Sequence, residues 1–127
     1  MELNTHLKLN SELNGKVVEL KQNYAKVEQV TSSLMVADEE GLVHGGFTFC
    51  AADFAAMACV NDPYVVLAKS EVKFLAPIKL GQTVVYEAKL LENEGKKSKV
   101  EVIATVDEKE VFKGVFSTVT LDNHILG

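Results

Sequence analysis

The stretch VHGGFTFCAADFAAMACV, residues 43–60, is apolar almost throughout and carries one carboxylate, Asp53, near its middle. Two glycines stand near its start, and the turn sequence Asn-Asp-Pro follows it, in which Pro63 would end a helix. Between these limits the segment is rich in Ala, Phe and Met rather than in β-branched residues, which favours a helix. The sequence therefore predicts a buried helix over residues 46–60.

Strand-like runs make up the rest of the chain. Residues 16–36 predict one or two strands, broken near Gln22 and Asn23. Beyond Pro63 come four more runs, YVVLAKSEVKFL, TVVYEAKLLE, KSKVEVIATVD and EVFKGVFSTVTL, separated by turn-like clusters. The last three are joined by short connections, so we expect an antiparallel meander.

The predicted helix is apolar on every side, so it must be covered on every side, and one sheet can cover only part of it. We therefore expect an α+β protein in which a curved antiparallel sheet wraps around one long central helix, the architecture called the hotdog fold. A partner chain is expected to cover what the sheet leaves open. The length of 127 residues fits a single domain, 1–127, with a short amphipathic helix predicted over residues 4–13. Leu3, just before that helix, and Leu7 and Leu13 within it are expected to point inward.

Composition argues against several classes of function. The net charge is −5 and no basic block is longer than Lys96 and Lys97 with Lys99, so no nucleic-acid partner is expected. The longest apolar run is shorter than the roughly 20 residues of a bilayer helix, and Asp53 interrupts it, so no membrane partner is expected either. The first residues lack the features of a signal peptide, which predicts a cytoplasmic protein.

Cysteine and histidine usage indicates neither a disulfide framework nor a metal. Cys50 and Cys59 are the only two cysteines, and both are expected to be small core residues. No Cys/His cluster has the spacing of zinc ligands, so no structural metal is predicted.

The run V-H-G-G-F-T-F-C-A-A-D resembles the H-G-G…D signature of small hotdog acyl-CoA thioesterases of the phenylacetate-pathway type. In that signature an Asp lies nine positions after the His, and His44 and Asp53 match this spacing. The second half, with EVKFLAPIKLGQTVVYEAKLLE and GVFSTVTL, is similar to the acyl-CoA-sensing domain of the bacterial repressor that reads malonyl-CoA. The resemblance implies the hotdog fold, a homodimer or dimer of dimers, and coenzyme A as part of the substrate or ligand rather than as a separate cofactor.

One position departs from the thioesterase pattern. Members of the phenylacetate type commonly carry an Asn six positions before the HGG histidine, and here Asp38 stands in that place. An amide can donate a hydrogen bond, whereas an ionised carboxylate can only accept one. Asp38 is therefore a candidate substrate contact whose chemistry differs from that of the family.

Thioester hydrolysis needs a group that activates water or attacks the carbonyl, and a donor for the charge that develops on the carbonyl oxygen. Asp53 is the candidate for the first task. The first amides of a helix have no intrahelical acceptor, so the Gly45 N–H is the candidate donor, with Gly46 close by and His44 shaping the turn. The apolar residues around Asp53 are expected to raise its pKa unless hydrogen bonds favour the ionised form.

Eight residues of helix separate Gly45 from Asp53 by roughly 12 Å, too far to flank one carbonyl carbon. Two chains with antiparallel helices would instead bring Asp53 of one against Gly45 of the other. With Asp38, the candidate substrate contacts are Gly46, Phe49, Lys73 and Phe74. Phe49 fits a core role as well, and Lys73 is a candidate for the phosphates of coenzyme A. Two functions stay open: an acyl-CoA thioesterase, and a protein that binds an acyl-CoA for sensing without cleaving it.

Overall fold

The computed structural model describes all residues from 1 to 127. It contains two α-helices, one short 3-10 helix and six strands. In chain order these are α1 Ser11–Asn14, β1 Lys16–Lys21, β2 Tyr24–Val30, the 3-10 helix Ser33–Met35, α2 Gly45–Val60, β3 Val65–Phe74, β4 Thr83–Glu94, β5 Lys97–Val106 and β6 Lys109–Thr120.

The six strands form one sheet in the order β1-β2-β4-β5-β6-β3, and every neighbouring pair is antiparallel. Strands β4, β5 and β6 follow one another through short turns, which confirms the predicted meander. Strand β3 pairs with β6 alone, so β1 and β3 are the two edges of the sheet. Helix α2 lies against the curved sheet and touches all six strands, so the predicted hotdog architecture is confirmed.

The core lies between α2 and the concave face of the sheet. Small side chains on the helix allow close approach, since Ala51, Ala52, Ala55 and Ala58 have no exposed surface. Larger apolar residues of the strands fill the space opposite them. These fully buried strand residues are Val27, Val84, Tyr86, Val100, Val102, Phe112 and Phe116.

The amino-terminal prediction was wrong in extent. Helix α1 covers only Ser11–Asn14, and the residues before it form turns, with a positive φ of 55° at His6. The side chain of Asn10 accepts a hydrogen bond from the Glu12 N–H and caps the helix at that point. Leu7, expected to point inward, is 69% exposed.

Two smaller expectations also differ. Residues 33–35, within a run predicted as strand, form the 3-10 helix instead. Cys59 is buried as expected, whereas Cys50 is exposed because it lies on the side of α2 that the sheet does not cover. No helix of the chain is both long and apolar enough to cross a lipid bilayer.

Candidate active site

The amino-terminal end of α2 is built from the H-G-G run. His44 is the N-cap residue, and its Nδ1 atom accepts a hydrogen bond from the Gly46 N–H at 2.9 Å. A neutral ring that accepts at Nδ1 carries its proton on Nε2. A Cβ atom at position 46 would lie 2.7 Å from His44 Nδ1, so glycine is needed there for the cap to form.

The Gly45 N–H is left free by this arrangement. This N–H donates to no group of the chain. The two amides that follow it are both paired: Gly46 N–H with His44 Nδ1, and Phe47 N–H with the His44 carbonyl oxygen at 3.1 Å. The helix dipole places partial positive charge at the same end. Gly45 therefore offers an unpaired, polarised N–H donor, and its role toward a substrate stays a prediction.

An apolar pocket of about 320 Å³ adjoins Gly45. The ring of Phe74 forms one side, so close that a Cβ atom on Gly45 would lie 3.1 Å from its Cε1 atom. The remaining lining residues are Val43, Thr48, Leu75, Ala76, Pro77, Ile78 and Val111. The structure thus brings the predicted residues Gly45 and Phe74 together at one pocket.

Asp53 lies two turns further along the same helix, outside that pocket. Its side chain is half-buried, and its Oδ1 atom is buried without any hydrogen-bond partner. Burial raises the pKa of the Asp53 carboxyl from its ordinary 3.8 to about 6. No hydrogen bond offsets this desolvation, which answers the question that the sequence left open.

The exposed side of α2 is a stripe along one face, formed by Gly46, Phe49, Cys50 and Asp53, of which Cys50 is the most exposed. Burial, and secondarily the charge of Asp53, raise the pKa of the Cys50 thiol. A raised pKa keeps the thiol protonated, so Cys50 is a poor nucleophile. Asp53 is the only carboxylate of the helix, so it is the candidate for acid–base chemistry on this stripe.

Because α2 is continuous from Gly45 to Val60, Gly45 and Asp53 of one chain remain about 12 Å apart along the helix. A single chain therefore does not bring its donor and its carboxylate to one carbonyl group. No group of three or more His, Cys, Asp or Glu side chains comes together in a way that could hold a metal ion.

The other predicted site residues lie apart from the pocket. Asp38 is exposed, and its Oδ1 atom accepts hydrogen bonds from the Glu40 and Leu42 N–H groups at 2.9 and 3.2 Å, so it shapes its own loop. Lys73 is exposed next to Phe74 on β3. Phe49 packs against Phe116 with ring centroids 5.6 Å apart. The substrate roles of these residues stay predictions.

We expect His44→Ala to lower the free energy of unfolding by about 1 kcal/mol, because the Gly46 N–H loses its cap. His44→Asn is the matched variant, since asparagine is a good N-cap residue. We expect it to restore most of the stability in a denaturant titration and to keep any catalytic activity. Equal losses of activity in both variants would show that the imidazole does more than cap the helix.

The pKa of Asp53 also has a consequence for stability. A carboxyl whose pKa is higher in the folded than in the unfolded chain binds its proton more tightly when folded, so stability falls as pH rises from about 4 to above 6. We expect the free energy of unfolding to fall by on the order of 1–3 kcal/mol over this range. The upper figure corresponds to the difference between a pKa of 3.8 and one of about 6, at about 1.36 kcal/mol for each pKa unit. Asp53→Asn should remove it, which denaturant titrations at pH 4.5 and 8 would test.

The sequence pattern of the thioesterase superfamily matches residues 40–113, more than half of the chain. This chain belongs to the thioesterase superfamily. A protein from Pyrococcus horikoshii of known structure is 46% identical and superposes with a TM-score of 0.98, covering 100% of this chain and 98% of that one. A hypothetical thioesterase from Streptococcus pneumoniae, solved with coenzyme A, superposes with a TM-score of 0.78 over 87% of this chain and 88% of that one. At 18% identity, it shows the shared fold alone.

Two relatives of this thioesterase-superfamily chain are longer proteins. Methylthioribose-1-phosphate isomerase from Aquifex aeolicus is 50% identical over 95% of this chain, which spans only 26% of the isomerase. The transcription factor FapR from Caldanaerobacter subterraneus is 27% identical over 93% of this chain, which spans 60% of FapR. The second match confirms the similarity to a bacterial transcription factor. Because the chain covers only part of each relative, neither whole protein's activity carries over to it.

Proposed function

We propose that this protein hydrolyses an acyl-CoA thioester at a site shared by two copies of the chain. One copy supplies the Gly45 N–H and the apolar pocket beside Phe74, and the other supplies the carboxylate of Asp53. The two-fold symmetry of such a pair generates two equivalent sites.

The observation that carries the proposal is the Asp53 carboxyl. Its Oδ1 atom is buried and accepts no hydrogen bond, on a face of α2 that the chain leaves partly uncovered. Leaving a polar atom buried and unpaired costs free energy, and perturbed carboxyls cluster at functional sites. A pKa of about 6 makes this group mostly ionised at neutral pH yet still basic enough to take a proton.

Two features support pairing of the chains. The uncovered stripe of α2 carries Phe49 among its residues, so a second copy would bury apolar surface there. Strand β3 is a ten-residue edge whose outer side has no neighbour in the sheet. An open edge of this length is a template for pairing with another strand. A second copy that adds its own β3 would satisfy both features with one two-fold axis.

In the proposed reaction the thioester carbonyl oxygen accepts a hydrogen bond from Gly45 N–H. Asp53 of the second chain acts in one of two ways. It removes a proton from water, whose oxygen attacks the carbonyl carbon, or its carboxylate attacks that carbon and forms an acyl–Asp53 anhydride, which water then hydrolyses to the free acid and the carboxylate. The negative charge that moves onto the carbonyl oxygen is stabilised by the free amide and the helix dipole. Collapse of the tetrahedral species breaks the C–S bond, and the coenzyme A thiolate then takes up a proton.

Coenzyme A as the carrier is supported by the structural neighbour from Streptococcus pneumoniae, which was solved with that molecule. Pocket residues such as Leu75 and Ile78 suit the acyl or pantetheine part. Lys73, exposed beside Phe74, is our candidate for a phosphate of coenzyme A. Asp38 stays a candidate substrate contact, although it does not line this pocket and its Oδ1 atom is engaged within its own loop.

A second candidate function is binding of an acyl-CoA without cleavage. It is favoured by the similarity to FapR over 93% of the chain and by Asp38 in place of the family's Asn. The same pocket and Gly45 N–H would then hold a thioester that Asp53 does not hydrolyse.

A thiol-release assay over acyl-CoAs of different length and of aliphatic or aromatic type distinguishes the two functions. Hydrolysis predicts continuous release of free thiol above the buffer rate, with many turnovers per chain. Binding alone predicts saturable binding, measured by calorimetry, with no release of thiol. Absence of turnover on every acyl-CoA would remove the thioesterase, and absence of binding as well would remove both.

A further inference from the structure

A buried amide, Gln29 of β2, lies beneath the first turn of α2. Gln29 is only 1% exposed. Its Nε2 group donates to two carbonyl oxygens, of Phe47 at 3.0 Å and of Leu13 at 2.8 Å. Its Oε1 atom accepts a 2.6 Å hydrogen bond from the hydroxyl of Tyr86, which is fully buried. Both ends of the amide are therefore used.

Burial alone does not explain an amide at this position. The inward-facing residues that precede it on β2, Ala25 and Val27, are apolar and fully buried. An apolar side chain of similar volume would continue that pattern, and a fully paired buried polar group adds little net stability beyond the offset of its own desolvation. The amide adds directional hydrogen bonds, which fix the positions of the two carbonyl groups that it contacts.

One of those carbonyls belongs to the turn that carries the free donor. Phe47 lies two residues after Gly45, and its N–H closes the turn onto the His44 carbonyl oxygen at 3.1 Å. The Gly45 N–H has no hydrogen bond of its own, so its position is set by the rest of this turn. The bond from Gln29 to Phe47 ties the turn to the sheet.

We propose that Gln29 is a positioning residue for the Gly45 N–H, an inference that rests on the proposed thioesterase function. The side chain does not touch the substrate. It holds the first turn of α2 so that the free amide points to the place where charge develops on the thioester oxygen. Misplacement of such a donor by a fraction of an ångström weakens catalysis without weakening substrate binding equally.

A double-mutant cycle tests this role. We expect Gln29→Met to lower kcat for acyl-CoA hydrolysis about tenfold and to change KM less than about twofold, because the donor acts mainly in the transition state. In a Gly45→Pro background, which lacks the N–H, Gln29→Met should cause no further loss. Once the donor is absent, its position no longer matters.

Tyr86→Phe is the matched control, since it removes a buried hydrogen bond from the same amide and leaves both Nε2 donations in place. We expect its kcat to stay within about twofold of wild type. If Gln29→Met does not fold, Gln29→Asn shortens the same amide by one methylene and takes its place in the cycle.

Equal losses from Gln29→Met with and without the Gly45 N–H would overturn the positioning role, as would a loss in Tyr86→Phe that matches the loss in Gln29→Met. Wild-type protein that releases no thiol from any acyl-CoA would overturn the proposed function and this inference together. An active wild type with an uncoupled Gln29 would overturn the inference alone.

Discussion

Asp53→Asn is expected to lower kcat for acyl-CoA hydrolysis by at least about a hundredfold, the usual loss when a general base is removed. Asparagine keeps the size and polarity of the side chain but cannot take the proton of water. In the wild type, kcat/KM should rise with pH and level off above about 6, because only the ionised carboxylate is a base. The residual activity of the variant should lack this inflection.

Cys50→Ala is the matched control on the same stripe of α2. Cys50 is exposed one turn before Asp53, and it is the other reactive side chain of this face. We expect its removal to leave kcat within about twofold, because the pKa of the thiol is raised and its thiolate is scarce. Loss of activity in Cys50→Ala with full activity in Asp53→Asn would assign the chemistry to the thiol instead.

Gly45→Pro should lower kcat by about a hundredfold or more, as expected for loss of one oxyanion donor. Proline has no N–H, and it is well suited to the first residue of a helix. The backbone before position 45 is compatible with proline, because His44 has φ −67° and ψ 131°, the extended conformation favoured before proline. No hydrogen bond of the fold is lost, since the Gly45 N–H makes none.

Gly45→Ala separates loss of the donor from the effect of added bulk. Alanine retains the N–H and introduces the same Cβ atom, 3.1 Å from the Phe74 ring. Phe74 is 56% exposed and has room to shift, so we expect a loss of less than about tenfold. If alanine and proline reduce kcat equally, the pocket shape and not the Gly45 amide is responsible.

The central helix was predictable because its signals are local. Ala-rich composition, a glycine pair at the start and Pro63 beyond the end predicted residues 46–60, and α2 covers Gly45–Val60. The predicted amino-terminal helix is too long, because the leucine spacing extends before Asn10, whose side chain caps the helix so that it begins only at Ser11. Residues 33–35 were likewise predicted as strand from their composition, and they form the 3-10 helix Ser33–Met35 instead.

The site was predictable only in part. The spacing within H-G-G…D singled out Gly45 and Asp53 as candidates, and helical rise alone shows that one chain cannot bring both to one carbonyl group. The wall of the pocket comes from the end of β3 and the loop after it, and local patterns do not reveal such long-range contacts. Gln29 is visible in the sequence as a polar residue in the inward register of β2, two positions after Val27, although such a position alone does not indicate a role.

Mixing the two inactive chains tests most directly whether the site is shared. A dimer of one Asp53→Asn chain and one Gly45→Pro chain has both defects at one site and an intact Gly45 and Asp53 pair at the other. We expect co-refolded, differently tagged chains, isolated as the mixed dimer, to recover about half of the wild-type thiol-release activity. Mixed dimers as inactive as either parent would show that no site combines the carboxylate of one chain with the amide of the other.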